Sequence, residues 1–364
     1  MDTKLCFVIN SLEGGGAERV ISNIANKFYS KGYTVTMICL NTAEVKYKMD
    51  SGVKIVNLVN RKNGQNFYNR LKYAWLTFYR LISILKREKP ACTICFMTSA
   101  NLWAGLCCLI LRLPYLVSER ITPDYTINKY NKLLQWISFK VYSKSKAIVL
   151  PAGEMGKGFK RNKLFKTLKN FKTIHNPVNN FKQATAAMVN QKRFILAVGR
   201  LNHQKGFDLL IDAYSRLQHT DVDLLISGVG PEEASLAQQI VALKLEDRVK
   251  LIGFKSNLQD YYTQAEVFVL SSRNEGYPNV LVEAMGMGCA CVAMDCEFGP
   301  SEIINNGING LLVDKEDVAA LSEAIAKILN NNLLRKNISE KAKLINETNS
   351  IERISANWEQ LIMS

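Results

Sequence analysis

Two series of short apolar runs, separated by stretches with helical spacing, constrain the fold of this 364-residue chain more than any other feature. The first series lies between residues 5 and 150, and the second lies between residues 193 and 313. Near-continuous apolar strands joined by helical crossovers form parallel sheets that helices cover on both faces. The sequence therefore predicts an α/β protein with two doubly wound domains of about 170 residues each.

Six strands are predicted in each half of the chain. They lie at residues 5–10, 34–40, 53–58, 92–97, 115–118 and 147–150, and then at 193–199, 222–228, 249–254, 265–271, 290–294 and 309–313. Pro177 and polar residues interrupt the pattern at residues 175–193, as at a domain boundary. We therefore predict one domain over residues 1–177 and a second over residues 178–349, followed by a terminal helix near residues 350–364.

The segment from Ser271 to Ala293 carries two glutamates eight residues apart, Glu275 and Glu283. A buried strand precedes it, a glycine and a proline end that strand, and residues 280–287 have helical spacing. Backbone N–H groups at the start of such a helix, together with its macrodipole, suit a phosphate. Carboxylates can accept hydrogen bonds from sugar hydroxyls. The segment therefore favours a nucleotide sugar as its ligand.

A second loop, VGRLNHQKG from Val198 to Gly206, places Arg200 and Lys205 directly after a strand. Two cations in that position can neutralise a diphosphate as it becomes a leaving group. The alternative is a surface loop with ordinary charges. The glycine loops GGGAE (Gly14 to Glu18) and SGVGPE, which begins at Ser227, also follow strands; their backbone can approach a phosphate closely, or can simply turn the chain.

Five motifs stand in one order along the chain: GGGAE, VGRLNHQKG, SGVGPE, EGYPNVLVE and DCEFGPSEII. This order resembles the large retaining glycosyltransferase family 4, which includes sucrose synthases and bacterial lipopolysaccharide mannosyl- and hexosaminyltransferases. The resemblance extends over nearly the whole chain. It implies the GT-B fold, in which two Rossmann-like domains face a cleft. The first domain would bind the acceptor, the second would bind the nucleotide sugar, and the terminal helix would pack back on the first.

The same resemblance implies a reaction and its residues. A hexose or N-acetylhexosamine would pass, with retention of configuration, from a UDP-sugar or another nucleotide sugar to a polyprenyl-diphosphate-linked saccharide. Arg200 and Lys205 would contact the donor diphosphate, Glu283 the ribose and Glu275 the sugar. The other donor-binding residues would be Gly15, Gly16, Gly228, Gly230, Gly276, Tyr277, Pro278, Asn279 and Val280.

One motif departs from the related polyprenyl-linked hexosaminyltransferases, which often carry S-E-H at the end of a first-domain strand. This chain has S-E-R, with Arg120 in the place of the histidine. Arg120 cannot act as a base, because a guanidinium stays protonated; it could hold an acceptor phosphate or the leaving oxygen. Glu119 is either a nearby reacting carboxylate or the ion-pair partner of Arg120, and we place Glu18 and Glu119 on the acceptor side.

Charge is distributed unevenly. Residues 1–190 contain 30 Lys and Arg against 9 Asp and Glu, whereas residues 191–364 contain 17 against 23. The basic residues concentrate at 69–89, 128–146 and 157–172, where they alternate with apolar residues at near-helical spacing. One interpretation is a set of solvated faces on packed helices. The other is an anionic membrane surface, which aromatic residues and lysines of these segments would contact: Trp75, Phe78, Trp136, Phe139, Lys132, Lys140 and Lys144.

Several other classes of protein are disfavoured. Helix-turn-helix, zinc-finger and RNP patterns do not occur, so we expect no nucleic-acid partner. The nine cysteines lie mostly in apolar runs and the histidines (His175, His203 and His219) are scattered, so we expect buried thiols and neither a metal nor another cofactor. No long uncharged apolar run and no signal peptide is visible, which predicts a cytoplasmic protein. The membrane interpretation of the basic segments further predicts peripheral association with the inner face of the plasma membrane.

Of three functional alternatives to this reaction, two stay open. A nicotinamide oxidoreductase would need G-x-G-x-x-G after a strand and an acidic residue about 20 positions later, which neither glycine loop provides. A nucleotide-sugar epimerase with the same two-domain fold stays open, as does a non-catalytic sugar-nucleotide-binding protein.

Overall fold

The computed structural model describes residues 3–60, 66–179, 181, 183–185, 187–217 and 221–364. The chain forms two compact units. Unit 1 comprises residues 1–177 and 351–364, and unit 2 comprises residues 178–350. Asn180, Lys182 and Ala186, which belong to the predicted boundary segment, lie outside the described residues.

Unit 1 contains a parallel sheet in which seven described strands take the order β3-β2-β1-β4-β5-β6-β7. Burial on both faces explains the near-continuous apolar sequences, since Leu5 to Ile9 are all fully buried. The strands are β1 (Lys4–Ile9), β2 (Thr34–Asn41), β3 (Lys54–Val59), β4 (Cys92–Phe96), β5 (Tyr115–Ser118), β6 (Ile148–Leu150) and β7 (Phe171–Thr173). The crossover helices are α1 (Gly16–Ser30), α2 (Phe67–Glu88), α3 (Thr98–Leu111), α4 (Lys132–Lys144) and α5 (Met155–Lys160).

One basic segment of unit 1 differs from its predicted helical spacing. Residues 157–172 contain the end of α5, a short 3-10 helix at Phe165–Thr167 and then strand β7. The Asn162 side chain accepts a hydrogen bond from the Leu164 N–H at 3.0 Å, which offers the backbone a turn in place of a further helical bond. Phe171 then pairs with Ile148 on β6 and extends the sheet by one edge strand.

Unit 2 contains a second parallel sheet, in which the six described strands take the order β10-β9-β8-β11-β12-β13. These strands are β8 (Phe194–Val198), β9 (Asp223–Ser227), β10 (Val249–Gly253), β11 (Val267–Leu270), β12 (Cys291–Asp295) and β13 (Leu311–Asp314). The helices are α6 (Phe207–Ser215), α7 (Glu233–Ala242), α8 (Leu258–Gln264), α9 (Asn279–Gly286), α10 (Pro300–Ile303), α11 (Val318–Asn330), α12 (Asn332–Ala342) and α13 (Ile345–Thr348).

The C-terminal helix α14 (Ile351–Met363) belongs to unit 1. Trp358 is almost fully buried, and its ring stacks on Phe96 of β4 with 5.5 Å between centroids. Glu359 accepts hydrogen bonds from Lys31 at 2.7 Å and from Tyr33 at 2.6 Å. An apolar face and these polar contacts together bind α14 to the first sheet although the whole of unit 2 precedes it in sequence. The predicted α/β class, with two doubly wound parallel sheets, is confirmed.

Candidate active site

The strand order locates a ligand site in unit 2 before any side chain is considered. The chain runs outward from β8 to β10 on one side and from β11 to β13 on the other, so the order reverses between the adjacent strands β8 and β11. Ligands of open α/β sheets bind outside the carboxyl ends of the strands at such a switch point. Two segments begin there: the β8 loop (residues 199–206) and the β11 loop (residues 271–278).

Lys205 of the β8 loop and Glu275 of the β11 loop meet at this point. The Lys205 ammonium donates to Glu275 Oε1 at 2.6 Å, and the Ser272 hydroxyl donates to the same oxygen at 2.7 Å. The Lys205 and Glu275 side chains are 18% and 8% exposed, respectively. Two predicted catalytic residues that are 70 positions apart in sequence therefore form one partly buried charged pair at the carboxyl edge of the sheet.

Helix α9 begins just beyond this pair. Pro278 precedes its first turn and Asn279 and Val280 form its first residues, so the amides of that turn point along the axis at the switch point. Tyr277 is buried, and its hydroxyl accepts a hydrogen bond from the Asn349 side chain at 2.7 Å. This bond anchors the end of the β11 loop. The predicted segment Gly276–Val280 thus provides a helix start that suits an anion, with Tyr277 as its support.

Glu283 lies farther along α9 and is 2% exposed. Its carboxylate accepts a hydrogen bond from the Tyr262 hydroxyl at 3.2 Å. The position on the helix agrees with the prediction, whereas its contact with a ribose remains a prediction.

The glycines after β9 bring the next loop against the β8 loop. A Cβ atom at Gly228 would lie 1.8 Å from the Gly199 carbonyl oxygen, and one at Gly230 would lie 2.2 Å from the Leu201 carbonyl oxygen. Both positions therefore require glycine for close backbone packing. Arg200, between these contacts, has an exposed side chain.

The predicted glycine turn in unit 1 leads into α1, with Gly15 at the cap position and Gly16 as the first helical residue. The Glu18 carboxylate lies against this turn: a Cβ atom at Gly15 would be 2.2 Å from Glu18 Oε2. A carboxylate is favourable at a helix start. The contact of Gly15 and Gly16 with a donor diphosphate remains a prediction.

At the end of β5, Glu119 and Arg120 of the S-E-R motif have different surroundings. Glu119 is fully buried and accepts hydrogen bonds from Thr98 at 2.8 Å, from Asn101 at 2.9 Å and from the Tyr142 hydroxyl. Burial raises the pKa of Glu119 to about 7. This carboxylate belongs to an internal network of unit 1, and its predicted contact with an acceptor would require that network to open.

Arg120 lies over the ring of Phe96, with 4.1 Å between the guanidinium carbon and the ring centroid. Its Nη1 donates to the Asn176 side chain. Nε and Nη2 are buried and have no hydrogen-bond partner among the described residues. Burial lowers the pKa of Arg120 to about 9, so the guanidinium still carries its charge at neutral pH.

The three predicted lysines of α4 (Lys132, Lys140 and Lys144), called the α4 lysine row below, are all exposed. Trp136 lies on the same face of α4, because Lys132, Trp136, Lys140 and Lys144 follow one another at intervals of four positions. The Lys140 ammonium is 5.5 Å from the centroid of the Trp136 ring. Trp75 on α2 is also exposed. Phe78 and Phe139 are half-buried, and Phe139 packs on Phe165 with 6.1 Å between centroids. Two of the four predicted aromatic residues, Trp75 and Trp136, are therefore exposed, and the other two are half-buried.

The cysteines are buried, and the described cysteines and acidic residues do not come together as a metal-binding group. All nine cysteines are buried and free, and burial raises the pKa of Cys6, for example, to about 12. Within the described ranges, which omit His219, no three His, Cys, Asp or Glu side chains cluster as a metal-binding group. The Asp-x-Asp formed by Asp221 and Asp223 lies at the start of β9, away from the carboxyl edge, and Asp223 pairs with Lys250 at 3.1 Å.

Four residues of the site were not singled out from the sequence. Ser272, Arg273, Asp208 and Tyr262 all contact predicted residues or the loops that carry them. Ser272 and Arg273 lie inside the segment that drew attention to Glu275, so proximity in sequence could have found them. No local signal marks Asp208 or Tyr262, which the tertiary fold brings to the site.

Family models match both halves of the chain. The model described as Glycosyltransferase Family 4 matches residues 14–180, and the model described as Glycosyl transferases group 1 matches residues 179–345. Among curated relatives, the amylovoran biosynthesis glycosyltransferase AmsD of Erwinia amylovora is 26% identical, and the match covers 99% of both chains. The N-acetylgalactosamine-N,N'-diacetylbacillosaminyl-diphospho-undecaprenol 4-alpha-N-acetylgalactosaminyltransferase of Campylobacter jejuni is 29% identical, and the match covers 93% of this chain and 94% of the relative.

Solved structures agree on the fold. The crystal structure of the Anabaena protein HepE in complex with UDP superposes with a TM-score of 0.84 at 18% identity, over 99% of this chain and 100% of that chain. Because the two family models together span residues 14–345 and the fold agrees with them, the chain belongs to the family 4 glycosyltransferases of the GT-B fold.

Proposed function

We propose that this glycosyltransferase moves a hexose or N-acetylhexosamine from a nucleotide sugar to a lipid-linked saccharide, with retention of configuration, during assembly of a cell-surface polysaccharide or glycan. The observation that carries the proposal is the meeting of Lys205, Glu275 and the start of α9 at the switch point of unit 2. The names of the Campylobacter and Erwinia relatives support the lipid-linked acceptor and the polysaccharide pathway.

The switch-point site of unit 2 would act on the diphosphate of the donor. An ammonium has three donors, so Lys205 can keep its bond to Glu275 while it binds phosphate oxygens. Arg200 and the first amides of α9 add further positive potential. Preorganised groups of this kind stabilise the negative charge that develops on the leaving diphosphate. Glu275 would accept hydrogen bonds from the transferred sugar, and Glu283 from the ribose.

A catalytic metal is unnecessary in this proposal. The charge of a departing diphosphate can be met by two side-chain cations and a helix start, which take the place that Mg²⁺ or Mn²⁺ occupies in metal-dependent transferases. We therefore propose that transfer requires neither a metal nor another cofactor.

The acceptor would bind to unit 1, where Arg120 can bind a phosphate of the lipid carrier. The N–H groups of Nε and Nη2 lie on one edge of a guanidinium, which is the edge that binds two oxygens of a phosphate. Both atoms are buried in the structure, so a phosphate reaches them only if the residues above them move. Arg120 would act there as a fixed cation rather than as a base.

A membrane surface would deliver this acceptor. No helix in the described part of the chain is long and apolar enough to cross a bilayer. Helix α3 packs against both α2 and α4, and the outer faces of those two helices combine basic residues with exposed aromatic ones. Trp75 is 63% exposed and Trp136 is 52% exposed. Amphipathic aromatic rings beside lysines suit the interface of an anionic leaflet better than plain solvent, so we propose peripheral association with the inner face of the plasma membrane.

A transfer assay with defined substrates tests the proposal. The purified protein is incubated with UDP-, GDP- and dTDP-sugars and with an undecaprenyl-diphosphate oligosaccharide, and products are followed by mass spectrometry and NMR. We expect one added sugar whose anomeric configuration matches that of the donor. An inverted product would contradict retention. Conversion of the nucleotide sugar itself without transfer would favour the epimerase, and nucleotide-sugar binding without turnover would favour a non-catalytic protein.

A further inference from the structure

Hydrogen bonds join the last residues of the β8 loop to the first residues of the β11 loop. The Arg273 backbone N–H donates to the Gln204 carbonyl at 2.8 Å, and the Gln204 side chain donates to the Asn274 carbonyl at 2.9 Å. The Ser271 hydroxyl donates to the Lys205 carbonyl at 3.0 Å. The backbones that carry Lys205 and Glu275 are therefore fixed to each other by hydrogen bonds at Lys205 itself and at the residues that precede the charged pair.

Gly206 shows how closely the two loops approach. Its φ is +60°, and a Cβ atom there would lie 2.2 Å from the carbonyl oxygen of Ser271. Only glycine fits this backbone conformation without strain and leaves room for the neighbouring carbonyl. The position of the Lys205 backbone consequently depends on the position of the β11 loop.

The guanidinium of Arg273 extends this connection to the start of α6. Its Nη1 donates to Asp208 Oδ1 at 2.8 Å and to the His203 carbonyl at 2.8 Å, and its Nη2 donates to Asp208 Oδ2 at 2.5 Å. Its Nε lies 3.8 Å from Glu316. The Arg273 side chain is only 14% exposed. One side chain of the β11 loop thus holds both the turn before Lys205 and the helix after it.

We propose that Arg273 is a positioning residue for the donor diphosphate: it holds the β8 loop so that the Lys205 ammonium stays at the place where it meets Glu275 and the phosphates. This inference rests on the proposed function of the switch-point site. Arg273 would act through Lys205, since its own donors are directed to Asp208 and to the His203 carbonyl.

The chemistry of the contact explains why arginine is needed. A guanidinium donates to both oxygens of a carboxylate and to a carbonyl within one plane, whereas a lysine ammonium is a single point charge on a flexible stem. A displacement of about 1 Å at a reacting group can lower a rate about a hundredfold. Loss of these guanidinium hydrogen bonds should therefore displace the Lys205 ammonium even though Arg273 need not contact the substrate.

Nucleotide binding separates this role from a general structural one. The probes are two pairs of nucleotides, UDP with UMP and GDP with GMP, and calorimetry measures the affinity for each. Lys205 should make the protein bind the diphosphate of each pair more tightly than the monophosphate. The variants are Arg273→Met, Arg273→Lys and the control Arg193→Met. Arg193 contacts Glu266 at 2.9 Å and precedes β8, at the end of the strand opposite to the site.

We expect Arg273→Met to reduce the preference for the diphosphate by about tenfold or more while monophosphate affinity changes little. Arg273→Lys should fall between this variant and the wild type, and Arg193→Met should keep the full preference. An unchanged preference in Arg273→Met, with wild-type protein that binds the diphosphate, would overturn the positioning role alone. A wild type that binds none of the four nucleotides would overturn the proposed donor site and this inference with it.

A double substitution provides a second and independent measure. If Arg273 acts through Lys205, then Lys205→Ala should lower diphosphate affinity much less in the Arg273→Met background than in the wild type, because coupled residues are not additive. Additive losses within about twofold would show that Arg273 supports the fold only. Melting temperatures of all variants identify any that lose affinity because they unfold.

Discussion

Replacing Lys205 with alanine should slow sugar transfer on the order of a hundred- to a thousandfold while the protein stays folded. The Lys205 ammonium lies 2.6 Å from Glu275 Oε1 at the carboxyl edge of the second sheet. Removing one preorganised charged donor at a developing negative charge raises the barrier by about 3 to 4 kcal/mol. Most of this loss should appear in kcat, because the charge on the diphosphate grows as the bond to the sugar breaks.

The same substitution should lower stability only moderately. Glu275 keeps its hydrogen bond from the Ser272 hydroxyl at 2.7 Å, but its largely buried carboxylate loses the neighbouring cation. Removing one partner of a fully buried ion pair costs about 3 to 5 kcal/mol. The hydrogen bond that Glu275 keeps and the partial exposure of the pair should bring the cost to the lower end of that range or below it. Such a loss is smaller than the roughly 5 to 15 kcal/mol that holds a typical domain folded.

Lys250→Ala is the matched control. Lys250 also pairs with a buried carboxylate, that of Asp223 at 3.1 Å, and it lies in unit 2 at the other end of the strands. Initial rates with nucleotide sugar and acceptor, together with melting temperatures, are compared for the two variants. Both should lose some stability, and only Lys205→Ala should lose turnover. Activity of folded Lys205→Ala within about threefold of wild type, or an equal loss in Lys250→Ala, would refute the assigned role.

Three other predictions concern metal, membrane and pH. Transfer should continue at an undiminished rate in excess EDTA, because side chains carry the diphosphate charge; activity lost in EDTA and restored by Mn²⁺ or Mg²⁺ would contradict this. The protein should sediment with vesicles that contain anionic lipid and be released at high salt. Changing the α4 lysine row to glutamate should weaken this binding and slow transfer to the lipid-linked acceptor. The same change at three exposed lysines of unit 2 (Lys327, Lys336 and Lys341) should have neither effect. Equal binding of wild type to neutral and anionic vesicles would reject the membrane face. Because burial raises the pKa of Glu119 from 4.5 to about 7, folded protein binds a proton that unfolded protein lacks between these values, so the free energy of unfolding should fall as pH rises through that range. Glu119→Gln removes this titration, so the melting temperature of the variant minus that of wild type should increase from about pH 5 to about pH 8. A difference that stays constant over this range would show that Glu119 is ionised in the folded protein.

Periodicity along the sequence was enough to predict the class of fold. Runs such as Leu5 to Ile9 are apolar at every position because both faces of a parallel strand are buried, and this pattern is visible without any distant contact. Six strands in each unit are predictable in this way. The edge strand β7 is not, because Phe171–Thr173 is short, partly exposed and defined mainly by its pairing with β6.

The loops that carry the site could also be read from the sequence, since a strand, a glycine or proline and a helix start follow one another locally. What could not be read is which loops meet. Strands β9 and β10 separate β8 from β11 in the chain, and only the order of the sheet makes β8 and β11 neighbours. That neighbourhood brings Lys205 to Glu275 and Arg273 to Asp208.

The same division applies to the charged residues of unit 1. Composition showed that the first half of the chain is strongly basic, but it could not separate exposed side chains from packed ones. Trp136 and Phe139 are three residues apart on one helix, yet Trp136 faces solvent while Phe139 packs on Phe165. Glu119 and Arg120 are adjacent, and one closes an internal network while the other stacks on Phe96. Sequence alone determined the two sheets, their loops and the family. Tertiary packing decided which side chains meet and which reach solvent, because those contacts depend on residues far apart along the chain.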